Sequence, residues 1–117
     1  MDDKGRIVVV AAGFALWLGG RCIAAARWAD VRTLRGVAID PAKSDHLALR
    51  VELLDGTLIE LREEAPGFDL FLDRASATLA GMLPFKSWHP ALVDGTAPAT
   101  GLLVFERPGK RPSLGRR

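Results

Sequence analysis

The sequence predicts an α+β domain: an antiparallel β-meander of six to seven strands, partly closed, capped by one amphipathic helix. Three observations carry this expectation. Leu47, Leu49, Val51 and Leu53 alternate with Ala48, Arg50, Glu52 and Leu54, the period of a strand. Gly19-Gly20 and Asp55-Gly56 each stand between two apolar runs, where tight hairpin turns belong. Phe68, Phe71, Leu72, Ala75 and Leu79 recur at helical spacing.

In chain order, residues 7–11 are β-branched and continuous and read as a first strand. The apolar run 7–20 follows Lys4 and Arg6 and mimics a secretory leader, but Asp2, Asp3, Arg21 and Arg27 do not suit one, and Gly13 divides the run into two strand-length pieces. It is therefore expected to be structure. A two-residue turn at Gly19-Gly20 would set Leu16 opposite Ile23, Phe14 opposite Ala25 and Trp17 opposite Cys22. Both faces of that hairpin are apolar, which predicts a covered or closed sheet. The segment from Trp28 makes a corner, and residues 34–39 form the next strand. Asp40 to Asp45, with Pro41, reads as a loop.

The Asp55-Gly56 turn allows a finer inference. A two-residue loop would set Val51 against Glu60 and Leu49 against Arg62. Moving the register by one residue flips every side chain. A three-residue loop over 54–56, with Gly56 left-handed, pairs Val51 with Ile59 and Leu49 with Leu61, and is the form predicted. Pro66-Gly67 then stops the strand, and a helix over 68–80 with Asp69 and Asp73 in its first turns ends at Gly81. Pro84, Pro90 and Pro98 predict an irregular stretch over 82–100, in which Phe85, Trp88 and Leu92 form a short packing patch. A last strand covers 102–107, with Leu103 and Phe105 on one side and Leu102 and Val104 on the other.

The chain has 117 residues and 12.6 kDa, enough for one domain that buries roughly 65% of its unfolded surface. The domain is expected over 1–107. The single Cys22 forms no internal bridge, fits a reducing, cytoplasmic setting, and is expected to be a small core residue. The pI of 9.1 suggests nucleic-acid binding until the charge is located. Lys110, Arg111, Arg116 and Arg117 put +4 into residues 108–117, so a chain of net +2 carries −2 over 1–107. The basicity is assigned to a disordered tail and nucleic acid is not an expected partner. The tail supports only weak membrane contact.

Catalytic and cofactor patterns are absent. His46 and His89 have no Cys or His at metal-ligand spacing, the glycines match no phosphate loop, and no serine stands in a nucleophile elbow. Glu63 and Glu64 are adjacent, and neighbouring strand residues point to opposite faces, so they would not converge on one substrate. No enzyme, metal or cofactor is expected. What stands out is an acidic strand–helix rim of Glu60, Glu63, Glu64, Asp69 and Asp73, suited to a basic protein partner.

Trp28-x-Asp-Val, Asp-Gly between apolar strands, Glu63-Glu64-x-Pro-Gly-Phe opening a helix, Trp88, and a last strand ending Phe-Glu-Arg together resemble a group of short bacterial proteins with a pleckstrin-homology-like sheet. The likeness spans about residues 14–107. It implies a non-enzymatic protein-binding module, an adaptor or an immunity protein that neutralises a toxin. Headgroup-binding members of the wider family use a long basic loop between their first strands; Gly19-Gly20-Arg21 offers one cation. The alternative expectation is a membrane-peripheral lipid-binding module using the basic C-terminal tail.

Overall fold

The computed structural model describes residues 5–39, 47–98 and 100–108. Strands β1 (Arg6–Val10), β2 (Gly13–Leu18) and β3 (Arg21–Arg27) form one antiparallel sheet in that order. A 3-10 turn, Trp28–Asp30, leads to β4 (Val31–Ala38), β5 (Leu47–Leu53) and β6 (Leu58–Arg62); helices α1 (Phe68–Thr78) and α2 (Phe85–Val93) follow, then β7 (Leu102–Glu106). The second sheet runs β6-β5-β4-β7. The α+β class and the seven strands agree with the sequence. The single capped meander does not: among the described residues the strands divide between two open sheets, and there are two helices.

The hairpin between β5 and β6 has the predicted register. Val51 pairs with Ile59 and Leu49 with Leu61. The Gly56 amide donates to the Leu53 carbonyl (2.9 Å), the Leu53 amide donates to the Thr57 carbonyl (2.8 Å), and Gly56 has φ +91°. That is a type I turn closed by a left-handed glycine, a three-residue loop over 54–56. Burial follows from it, since Leu49, Val51 and Leu61 are fully enclosed.

The first hairpin differs from expectation. Leu18 pairs with Arg21 and Trp17 with Cys22, as a Gly-Gly turn requires, but Leu16 then pairs with Ala24 and Phe14 with Ala26. Ile23 is an extra residue, a bulge that shifts the register and leaves its side chain exposed. The reason lies in the core. Phe14 and Leu16 are buried, and opposing them with the small Ala26 and Ala24 leaves room for Phe71 and Trp28, whose rings stand 5.0 and 5.4 Å from that of Phe14. Cys22 is likewise exposed rather than a core residue.

Helix α1 follows its sequence pattern: Phe68, Phe71, Ala75 and Leu79 are buried, Leu72 is half-buried, and Gly81 has φ +90°. Helix α2 stands where the prolines predicted irregular chain. Pro84 occupies the N-cap position, where a missing amide costs nothing, and Pro90 falls inside the helix. Trp88 and Leu92 are buried, so tertiary packing outweighs the proline penalty of about 3 kcal/mol. The predicted patch of Phe85, Trp88 and Leu92 is therefore one helix face. It lies over Gly36 of β4, where a Cβ would come 2.9 Å from Leu92 Cδ1 and 3.0 Å from Trp88 Cε3.

Strand β7 does not alternate as expected. Leu34 pairs with Phe105 and Arg35 with Leu103, so Val104 bulges and both Val104 and Phe105 are buried. Arg107 fastens its end: Nε donates to the Val31 carbonyl (2.7 Å) and Nη2 to that of Trp28 (2.8 Å). The predicted loop at 40–45, His46 and the tail beyond Pro108 lie outside the described residues.

Candidate functional site

The acidic rim is the first surface to place. Ile59 and Leu61 point into the core, so Glu60 leaves β6 on the opposite face, where Arg50 Nε donates to its Oε1 at 3.3 Å. Glu64 accepts from Arg62 Nη2 at 3.1 Å. Glu63 lies 2.8 Å from His89 Nε2. Asp69 and Asp73 are exposed one turn apart on α1 and have no ion-pair partner among the described residues. Three of the five carboxylates are thus engaged within the chain. Glu60 and the two aspartates also leave the fold on opposite sides of the four-stranded sheet, because α1 packs into the core that Glu60 points away from.

The Glu63–His89 contact joins the end of β6 to α2, and the Phe85 ring stacks on the imidazole at 4.2 Å. A carboxylate–imidazole pair resembles two members of an acid–base set. Among the described residues no hydroxyl or thiol is bonded to His89, so no nucleophile completes it. The pair reads as a staple. His89→Ala is expected to lower stability by about 1–2 kcal/mol, through the lost hydrogen bond and stacking. Urea unfolding, combined with Glu63→Gln in a double-mutant cycle, measures it; an unchanged midpoint would show that the pair holds nothing.

A second surface lies on the three-stranded sheet. Its inner side carries Ile7, Phe14 and Leu16, all buried. Its outer side carries Val8, Val10, Ala15, Trp17 and Ala25, and both helices pack elsewhere: α1 against β1 from within, α2 against β4 and β7. Val10 is 54% exposed, Ile23 53% and Trp17 38%. The sequence expectation of a covered or closed sheet therefore fails, because no described element remains to cover this face. Small residues hollow it. A shallow groove of about 380 Å³ runs past Val8, Val10, Ala15, Ala25 and Arg27, and a second of about 400 Å³ lies between Arg6, Val8, Trp17 and the Gly19-Gly20 turn.

The electrostatics of this sheet are one-sided. Residues 5–27 contain Arg6, Arg21 and Arg27 and neither Asp nor Glu. Arg27 is held by Asp30, Nε to Oδ2 at 3.0 Å and Nη2 to Oδ1 at 3.1 Å, and that hydrogen-bonded guanidinium keeps the Asp30 carboxyl below the usual range. The available signal was the acid-free run with apolar residues on both strand faces; a covered sheet was the other way to read it.

Among the described residues no three Cys, His, Asp or Glu side chains group as a metal site, and no helix is long and apolar enough to cross a membrane. No protein-family model, curated protein or solved structure matches the chain.

Proposed function

We propose that the chain is a non-enzymatic protein-binding module, an adaptor or immunity-type protein, that docks its partner on the outer face of the three-stranded sheet. The observation carrying this reading is the exposure of Val8, Val10, Trp17 and Ile23 together on one sheet. Single exposed apolar residues are ordinary, whereas a contiguous group rimmed by charge marks an interaction surface. The resemblance to pleckstrin-homology-like bacterial proteins points to the same class. The acidic rim is the weaker docking surface, since Arg50 and Arg62 already pair with Glu60 and Glu64, and Glu63 is held against His89.

Trp17 supplies the test. Trp28 and Trp88 are buried, so the solvent-exposed indole emission belongs to Trp17. Full-length protein used as bait in extract of its source cell should retain a stoichiometric protein that blue-shifts this emission once purified. Trp17→Glu, with native circular dichroism, should retain none of it. A partner held equally well by Trp17→Glu and released by Asp69→Lys with Asp73→Lys would move the docking surface to the rim.

A further inference from the structure

The binding reading leaves open what chemistry the partner brings to the sheet. The groove beside Trp17 narrows it. Arg6 pairs with Trp17 and Val8 with Ala15, so the guanidinium, the indole and the Val8 side chain share the outer face of β1 and β2. Directly opposed residues of an antiparallel pair stand about 5 Å apart at their Cα atoms. Among the described residues the Arg6 guanidinium has no ion pair and lies over no ring. The other two arginines of the sheet do not share its position. Arg27 is held by Asp30, and Arg21 pairs with Leu18, on the face of Leu16. At the Gly20 end an added Cβ would meet nothing within 4 Å, so the groove of about 400 Å³ is open at its rim.

We infer that the protein partner seats an aromatic side chain against Trp17 and Val8, and a neighbouring carboxylate on Arg6. This rests on the protein-binding reading above. An exposed indole gains from a second flat ring, which packs offset or edge-on and removes apolar surface from water. Beside it, a guanidinium without an acid selects a carboxylate, whose two oxygens match its paired N–H groups. Ring and acid then stand about one strand spacing apart, which a phenylalanine next to a glutamate or aspartate satisfies.

Three other occupants fit less well. A free aromatic acid would be only partly enclosed, since small-molecule sites bury roughly 70–90% of their ligand and this groove is open at Gly20. A second copy docked sheet to sheet would bring no acid, because residues 5–27 contain neither Asp nor Glu. A second copy presenting Asp69 and Asp73 would bring no ring, because Phe68 and Phe71 are buried. An anionic bilayer would meet one unpaired cation on this face, where polybasic membrane sites use roughly four to eight.

The experiment uses full-length protein and a displayed library of random decapeptides. Recovered peptides are expected to place Phe, Tyr or Trp within about two positions of Asp or Glu. A synthetic peptide of the commonest sequence should bind about thirtyfold more weakly to Trp17→Ala, the loss of a tryptophan hot spot. Arg6→Gln, and replacement of the peptide's acid by its amide, should each weaken binding. Their double-mutant cycle should show a coupling of about threefold to fivefold, the upper range for an exposed ion pair. Arg21→Gln should bind as the wild type does, and every variant should keep native circular dichroism. Peptides that ignore Trp17→Ala, carry no acid, or show no coupling to Arg6 overturn the inference. Recovery of no peptide overturns it as well. Whether the module binds protein at all is read separately from the source-cell extract; if that too yields nothing, the binding reading falls. A concentration-dependent dimer dispersed by Trp17→Glu overturns the inference in favour of a second copy.

Discussion

Phe71→Ala is expected to cost about 3–5 kcal/mol of folding stability, the usual range for a buried phenylalanine truncated to alanine. Phe71 is fully enclosed, and its ring is 5.0 Å from that of Phe14 and 5.5 Å from that of Trp28. Those contacts tie α1 to β2 and to the 3-10 turn between the sheets, so the cavity would open where three elements meet. A domain of this size has about 5–15 kcal/mol in total. The variant should therefore be partly unfolded at 37 °C and unfold at a much lower guanidinium concentration. A loss below about 1 kcal/mol would mean that the sheets do not meet through this ring.

Gly67→Ala is expected to cost a similar amount, about 3–5 kcal/mol, for two reasons that add. Gly67 has φ +94°, a conformation side chains rarely adopt, and a Cβ there would fall on the Ile7 carbonyl oxygen. The obstacle is backbone, and Ile7 is bonded through its amide to the Pro66 carbonyl, so relief requires β1 to leave α1. Gly81→Ala is the control. Its φ is +90°, yet nothing lies within 4 Å of its added Cβ, so it should lose only the local strain, about 1–2 kcal/mol. Equal losses in the two variants, read by chemical denaturation, would refute the close approach of β1 to the helix start.

Both predictions depend on contacts between residues far apart in the chain, and this separates what was legible from what was not. The Gly56 loop was legible because its two registers differ in whether Val51 and Leu49 meet apolar or charged partners. Helix α1 was legible because its apolar stripe and its stop are local. The helix at 85–93 was missed: Pro84 and Pro90 dominate its local preference, and only the space over Gly36 repays burying Trp88 and Leu92. The bulge at Ile23 was hidden for the same reason, since Phe71 and Trp28, from distant segments, set the small partners that Phe14 and Leu16 require.

The candidate site divides along the same line. Sequence alone identified the carboxylates at 60, 63, 64, 69 and 73 and located the excess cations in the tail. Their pairing with Arg50, His89 and Arg62 depends on strand register and on α2, neither of which composition contains. An apolar residue reads the same whether it is covered or bare. Sequence by itself determined the α+β class, a count of six to seven strands, helix α1 and the turn at 54–56, because period and turn chemistry act over a few residues. Only the tertiary structure decided that the described strands form two open sheets and that no described element covers the outer face of the first, because burial is a property of what else comes near.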